Sequence, residues 1–181
     1  VTVDFLLTSD TSPPLSGSVD DAAATVSVTV DGQVIAATNN GDGTWSIADD
    51  VLDPLADDVY NVAVTATDAY GNVGIDASTN ELTVDLTAPV VTVDSLITGD
   101  STPPLIGTID DAAATISVTV NGQTVAATNN GTTWSVADGT LTALADNTYD
   151  VSVTATDAVG NPASDGTTDE LTVDLTAPVV T

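Results

Sequence analysis

The stretch TVSVTVDGQVIAAT, residues 25–38, decides the fold class. Val26, Val28 and Val30 alternate with Thr and Ser, a period of two that places one side chain in every pair on a buried face. Asp31-Gly32 then supplies a two-residue hairpin turn, since both positions tolerate positive φ. Val34 and Ala36 are expected to carry the apolar face back along the return strand. The pattern therefore reads as a β-hairpin.

The same alternation extends along the chain. NNGDG (39–43) is a second turn, after which Trp45 and Ile47 are expected to point inward. Tyr60, Val62, Val64 and Ala66 line one face of a later strand, and Leu82, Val84 and Leu86 one face of the last. With Val1 to Leu7 and Leu15 to Val19 as opening strands, about seven strands fall in about 90 residues, the signature of an immunoglobulin-like sandwich. Antibody-type cysteines are absent. Tyr60 and Tyr149 stand where a tyrosine corner would be, or serve as core aromatics whose hydroxyls meet a backbone acceptor.

The chain repeats itself. Val1-Thr2-Val3-Asp4 returns as Val91-Thr92-Val93-Asp94, DDAAAT at 20–25 returns at 110–115, VTATDA at 64–69 returns at 153–158, and ELTVDLTAPVVT at 81–92 returns at 170–181. A period of about 90 residues is a whole domain and not a solenoid unit. The expected architecture is all-β: two tandem immunoglobulin-like Greek-key sandwiches arranged end to end. Their expected bounds are residues 1–88 and 89–177, with 178–181 beginning a following repeat of a longer array. LTVDLTAPVVTVD (82–94) then contains the last strand of one domain, a turn stiffened by Pro89, and the first strand of the next.

Composition narrows the function. The 181 residues include 27 Asp or Glu, no Lys, Arg or His, and no Cys, giving a formal charge of −27. Hydrophobic residues nevertheless make up 42%, enough for packed cores. Without cationic side chains, nucleic acid and anionic lipid surfaces are poor partners. No segment has the roughly 18 apolar residues of a membrane helix. Catalysis has little to work with, because no His, Lys or Cys can act as base or activated nucleophile. Metal cations remain as the agents that neutralise the carboxylates.

Strand alternation sorts the loops onto two poles. DDAAA (20–24), NNGDG and TDAYGN (67–72) share the N-terminal pole. The turn at Asp10, the Asp31-Gly32 hairpin, the acidic loop 49–58 and the exit through Asp85 share the other. In a head-to-tail pair, Asp85 would meet Asp110, Asp111 and Asp157, with Asn161 nearby, and Asp94 is a weaker candidate. Clustered carboxylates need a counter-ion, and oxygen donors drawn from several loops suit Ca²⁺, with Mg²⁺ disfavoured by its stricter geometry. Asp and Asn are also ordinary turn residues, a bland reading that the lack of any cation weakens. For the second acidic loop, with Asp49, Asp50, Asp53, Asp57 and Asp58, a solvated turn is the better reading; the second copy keeps only Asp138 and Asp146 there, with Asn147.

The order of TPPLIG (102–107), SVTV followed by GQ, TWS, the pattern Y.V.VTATDA.GN and LTVDLTAPVVTVD closely resembles the tandem bacterial immunoglobulin-like repeats of giant RTX adhesins of the biofilm and ice-binding type. The resemblance implies a secreted, surface-anchored protein whose repeats form an extender arm stiffened by calcium at domain junctions. It places Asp85 with Asp110, Asp111 and Asp157 at the central junction. Asp20, Asp21 and Asp68 would serve the preceding junction and Asp174 the next. A monomer with neighbouring repeats and calcium ions as partners is expected. A carbohydrate- or protein-binding module is the alternative, with Tyr70 its one obvious loop aromatic, replaced by Val159 in the second copy. A halophile surface-layer repeat is another.

Overall fold

The computed structural model describes residues 1–180. Thr181, the last residue of the 178–181 stretch, lies outside the described residues. Strands and turns account for all the regular structure described, and residue contacts divide the chain into two units, Val1–Thr87 and a second beginning at Ala88.

The first unit contains β1 (Leu6–Thr8), β2 (Leu15–Ser18), β3 (Thr25–Val30), β4 (Gln33–Asn39), β5 (Thr44–Ile47), β6 (Asp58–Tyr60), β7 (Ala63–Thr67), β8 (Val73–Ile75) and β9 (Leu82–Val84). A six-stranded sheet runs β2-β5-β4-β3-β7-β8, and a three-stranded sheet runs β1-β9-β6 with β1 and β9 parallel. The second unit repeats this as β10 (Leu96–Thr98), β11 (Leu105–Thr108), β12 (Thr115–Val120), β13 (Gln123–Asn129), β14 (Thr133–Val136), β15 (Asn147–Tyr149), β16 (Val151–Thr156), β17 (Pro162–Ser164) and β18 (Leu171–Val173). Each unit is an immunoglobulin-like sandwich, and the two are tandem.

Nine short strands per unit replace the expected seven: one long strand divides in two, and a short edge strand, β8 or β17, is added. The run Asp58 to Thr67 breaks at Asn61-Val62, where β6 in the small sheet gives way to β7 in the large one. The opening segment also changes partner. Thr2 and Asp4 donate to the carbonyls of Ser18 and Ser16, and Leu6 then donates to Glu81, so the chain crosses from one sheet edge to the other at Phe5.

Each core is what the alternation predicts, with two corrections. Val26, Val28 and Val30 are buried on β3, and Trp45 and Ile47 on β5. On β4, however, Ile35 and Ala37 pack against the core while Val34 is 72% exposed. Asp31 and Gly32 both have positive φ, so the two-residue turn pairs Val30 with Gln33. Directly paired residues share a face, which sends Gln33, Ile35 and Ala37 inward and Val34 and Ala36 outward. Leu86, beyond the end of β9, is also exposed and not part of the inner face.

Trp45 anchors the segment that precedes β1. Its indole N–H donates to the Thr2 carbonyl at 2.8 Å, and Gly17 beside it has no room for a side chain: an added Cβ would lie 2.0 Å from the Thr2 oxygen. Trp134, Thr92 and Gly107 repeat the arrangement. Tyr60 donates to the Ala56 carbonyl and Tyr149 to the Ala145 carbonyl, each at 3.0 Å and four residues upstream, as in a tyrosine corner.

Candidate metal-binding loops

Pairing of Ser18 with Thr44 and of Thr25 with Thr67 brings the ends of β2 and β7 and the starts of β3 and β5 to one pole of the first unit. Asp20, Asp21 and Asp68 consequently line one open cavity of about 240 Å³, together with Asn72 and Val1. Asn39 fixes the acidic loop in place: its amide donates to the carbonyls of Asp21 and Ala24, each at 2.9 Å. Asn129 does the same to Asp111 and Ala114. Sequence reading assigned Asn39 only to a turn, because nothing in its spacing reveals a contact across a neighbouring loop.

Asp68 and Asp157 organise their own loops. One carboxylate oxygen of Asp68 accepts the N–H groups of Tyr70 and Asn72, and the other accepts the Asn72 side-chain amide at 2.7 Å. The Asn72 side chain, then its backbone, holds the Asp68 carboxyl below the ordinary carboxylate value. Asp157 accepts from Val159, Gly160 and Asn161 in the same way. Partial burial raises its pKa, but the donors of Asn161, Gly160 and Val159 together outweigh that and leave it lowered.

Asp110 is placed differently. It accepts the Val90 N–H at 2.7 Å, and its own N–H donates to the Val90 carbonyl. Asp111 caps the following turn by accepting from Ala113, as Asp21 does from Ala23.

At the other pole of the first unit, Asp85 accepts the Thr87 N–H at 3.0 Å. Asp57 from the long acidic loop takes both the Leu86 N–H and the Thr87 hydroxyl, and the Thr87 contact, followed by that from Leu86, lowers its pKa. Asp174 and Asp146 bind Thr176 and Leu175 equivalently. Asp57 and Asp146 are therefore clamps on the departing chain. In the same acidic loop, Asp49 is raised by desolvation and then by its hydrogen bond to the Asp10 carboxyl. Asp94 is exposed and borders a groove with Leu96 and Pro104.

Among the described residues, no three carboxylates already stand close enough together to hold a metal ion. The donor chemistry is all hard oxygen, which fits Ca²⁺; the spacing of the loops as they stand is wider than a finished coordination shell. Two buried acids were missed altogether. Glu81 and Glu170 each accept a backbone N–H, from Val62 and Val151, at 2.9 Å, and the second carboxylate oxygen of each is buried without a partner. Each satisfies the amide exposed where its chain changes sheets, a break that the alternation of apolar residues hides.

The bacterial Ig-like domain profile matches residues 4–86 and again 91–175. The chain belongs to the bacterial Ig-like domain family. Among solved structures, these Ig-like domains resemble a 1.5-MDa bacterial ice-binding adhesin at 24% identity and a TM-score of 0.55, over 97% of this chain and 64% of that one. A Ca²⁺-stabilized adhesin of an Antarctic bacterium matches at 24% identity and 0.49, over 96% and 49%. A tetra-tandem repeat from the extending region of a large adhesion protein matches at 26% and 0.43, over 97% and 49%. The chain thus spans about half to two thirds of these structures. No curated protein matches it. No helix among the described residues is long and apolar enough to cross a membrane.

Proposed function

We propose that these two Ig-like domains are extender repeats of a secreted, surface-anchored bacterial adhesin, and that calcium at domain junctions stiffens the arm they form. The observation that carries the reading is the shared cavity of Asp20, Asp21, Asp68 and Asn72 at one pole of the first domain, in a chain that has no cationic side chain to neutralise it. Family membership and tandem repetition support a spacer role.

The same loops recur in the second domain as Asp110, Asp111, Asp157 and Asn161. In the proposed arm, Asp85 from the preceding domain joins them on one cation, while Asp20, Asp21 and Asp68 face the previous repeat and Asp174 the next. Bound calcium supplies positive charge and a preference for six to eight oxygens. The chain's own residues do the rest. Asn39 and Asn129 hold the acidic loops, Asp57 and Asp146 fix the departing strand, and the Asp68 and Asp157 loops arrive already folded by their internal hydrogen bonds.

Calorimetric titration with Ca²⁺ tests the assignment. Wild type should bind with a stoichiometry that falls when Asp85 and Asp157 are both changed to Asn, while each domain keeps its unfolding transition in chelator. Equal stoichiometry in the double variant would remove these residues from the site.

A further inference from the structure

β8 ends the six-stranded sheet, and its three residues, Val73, Gly74 and Ile75, are all exposed. Val73 is 60% and Ile75 67% exposed. The ladder fixes which backbone groups are used. Asp68 donates to Asn72 and Asp76 donates to Val64, so residues 72, 74 and 76 direct their amide groups toward β7. By alternation the N–H and C=O groups of Val73 and Ile75 face away from the sheet. An open edge of this kind is a template for another strand unless charge, proline or a bulge blocks it.

The second domain blocks it. Its equivalent strand, β17, is Pro162-Ala163-Ser164, with the same inward bonds at Asp157 and Asp165. Pro162 occupies the outward position of Val73 and has no N–H to donate, and Ser164 replaces the apolar Ile75. The repeats are therefore unequal at this edge.

The geometry points to β8 as a pairing edge for β8 of a second copy of this chain. Antiparallel pairing about a two-fold axis at Gly74 sets Val73 opposite the partner's Ile75 twice, giving two aliphatic cross-strand pairs and four backbone hydrogen bonds. The flanking pair is Asn72 with Asp76, so no Asp is set directly against an Asp. Gly74 lies on the other face of β8, and the nearest atom to a Cβ added there is the Ala66 carbonyl at 3.9 Å. Opposing this is a charge of −27 on each copy, with no cation to offset it. Repulsion over distance falls as the Debye length shrinks to about 3 Å near 1 M salt. Association is thus held off at low ionic strength and permitted at high.

Sedimentation of the whole chain in chelator, from 20 mM to 1 M NaCl at up to about 1 mM protein, tests this independently of calcium. Wild type should pass from monomer to dimer as salt rises. Val73→Pro, which copies the second domain, should weaken the dimer about tenfold or more, because two of the four bonds are lost. Ile75→Ser should weaken it without touching the backbone, and covers the case of a Val73→Pro chain that misfolds by circular dichroism. Pro162→Val with Ser164→Ile should open a second edge and give larger species. A monomer at every salt concentration, or dimerisation of both β8 variants as strong as that of wild type, would overturn the proposal. So would a wild type that stays monomeric while binding a lysine-flanked extended peptide at Val73 and Ile75, which would assign the edge to a basic partner.

Discussion

The Val90 N–H donates to the Asp110 carboxylate at 2.7 Å while the Val90 carbonyl accepts the Asp110 N–H at 3.3 Å. This reciprocal clasp ties the segment after Pro89 to the end of β11, and the Val91–Ile109 bridge continues it. A hydrogen bond to a charged group contributes about 1.5–3 kcal/mol. Asp110→Ala should therefore destabilise the second domain by about that much in chelator, and Asp110→Asn, which retains an acceptor, by less than half of it. Urea unfolding of both variants without calcium separates the clasp from any role in metal binding; equal stability of Asp110→Ala and wild type would dismiss the clasp.

Glu81 is buried to satisfy one amide. Glu81→Leu should leave the Val62 N–H without an acceptor and lower stability by about 1–3 kcal/mol. Glu81→Gln keeps an acceptor oxygen and removes the buried carboxylate, so it should lie within about 1 kcal/mol of wild type. Equal losses in the two variants, read from denaturant midpoints, would show that the acceptor oxygen is not what the site requires.

Gly17 and Gly107 accept the opening segment of each domain against a tryptophan. A Cβ at Gly17 meets the Thr2 oxygen at 2.0 Å and the Trp45 indole nitrogen at 2.7 Å. Gly17→Ala should cost about 1–3 kcal/mol or more by overpacking. Gly74→Ala, where the nearest atom is 3.9 Å away, should stay within about 1 kcal/mol. Comparable losses at the two positions, read from urea midpoints, would contradict the close approach.

Acid should destabilise the fold. Asp42, which accepts from the Thr44 hydroxyl, and Asp100, which accepts the Thr102 N–H, join Asp57, Asp68 and Asp157 in sitting below the ordinary carboxylate value of 3.8 in the folded protein. A lowered carboxyl contributes stability that is complete above its unfolded pKa and lost as pH falls through the folded one. Asp49 is raised and acts in the opposite sense, its contribution fading as pH rises from 3.8. With five groups lowered against one raised, the unfolding temperature should drop as pH falls below about 4. Measuring in about 1 M NaCl screens the general repulsion that acid also relieves. Asp57→Ala should flatten the drop, and Asp49→Asn should raise the unfolding temperature at pH 7. A temperature that rises steadily on acidification in high salt would contradict the hydrogen-bond assignments.

Periodicity made most of the sandwich legible. Val26, Val28, Val30, Trp45, Val62, Val64, Leu82 and Val84 are buried where alternation places them. It misplaced Val34 and Ala36 because parity across a hairpin depends on the turn: a two-residue loop pairs Val30 with Gln33 and sets the face of every later residue. Gln33, once inward, grips the Asp53 backbone through both side-chain atoms. Strand alternation also sufficed to bring Asp20, Asp21 and Asp68 to one pole. It could not reveal the roles of Asn39, Asp57 or Glu81, whose hydrogen-bond partners lie far away along the chain.

Small-angle scattering of the two-domain chain, first with calcium and then with excess chelator, bears most directly on the central claim. A junction stiffened by a shared cation predicts a narrow distribution and a larger maximum dimension with calcium, both lost on chelation and both absent in the Asp85→Asn, Asp157→Asn variant. Identical profiles in the two conditions would contradict calcium as the stiffening element.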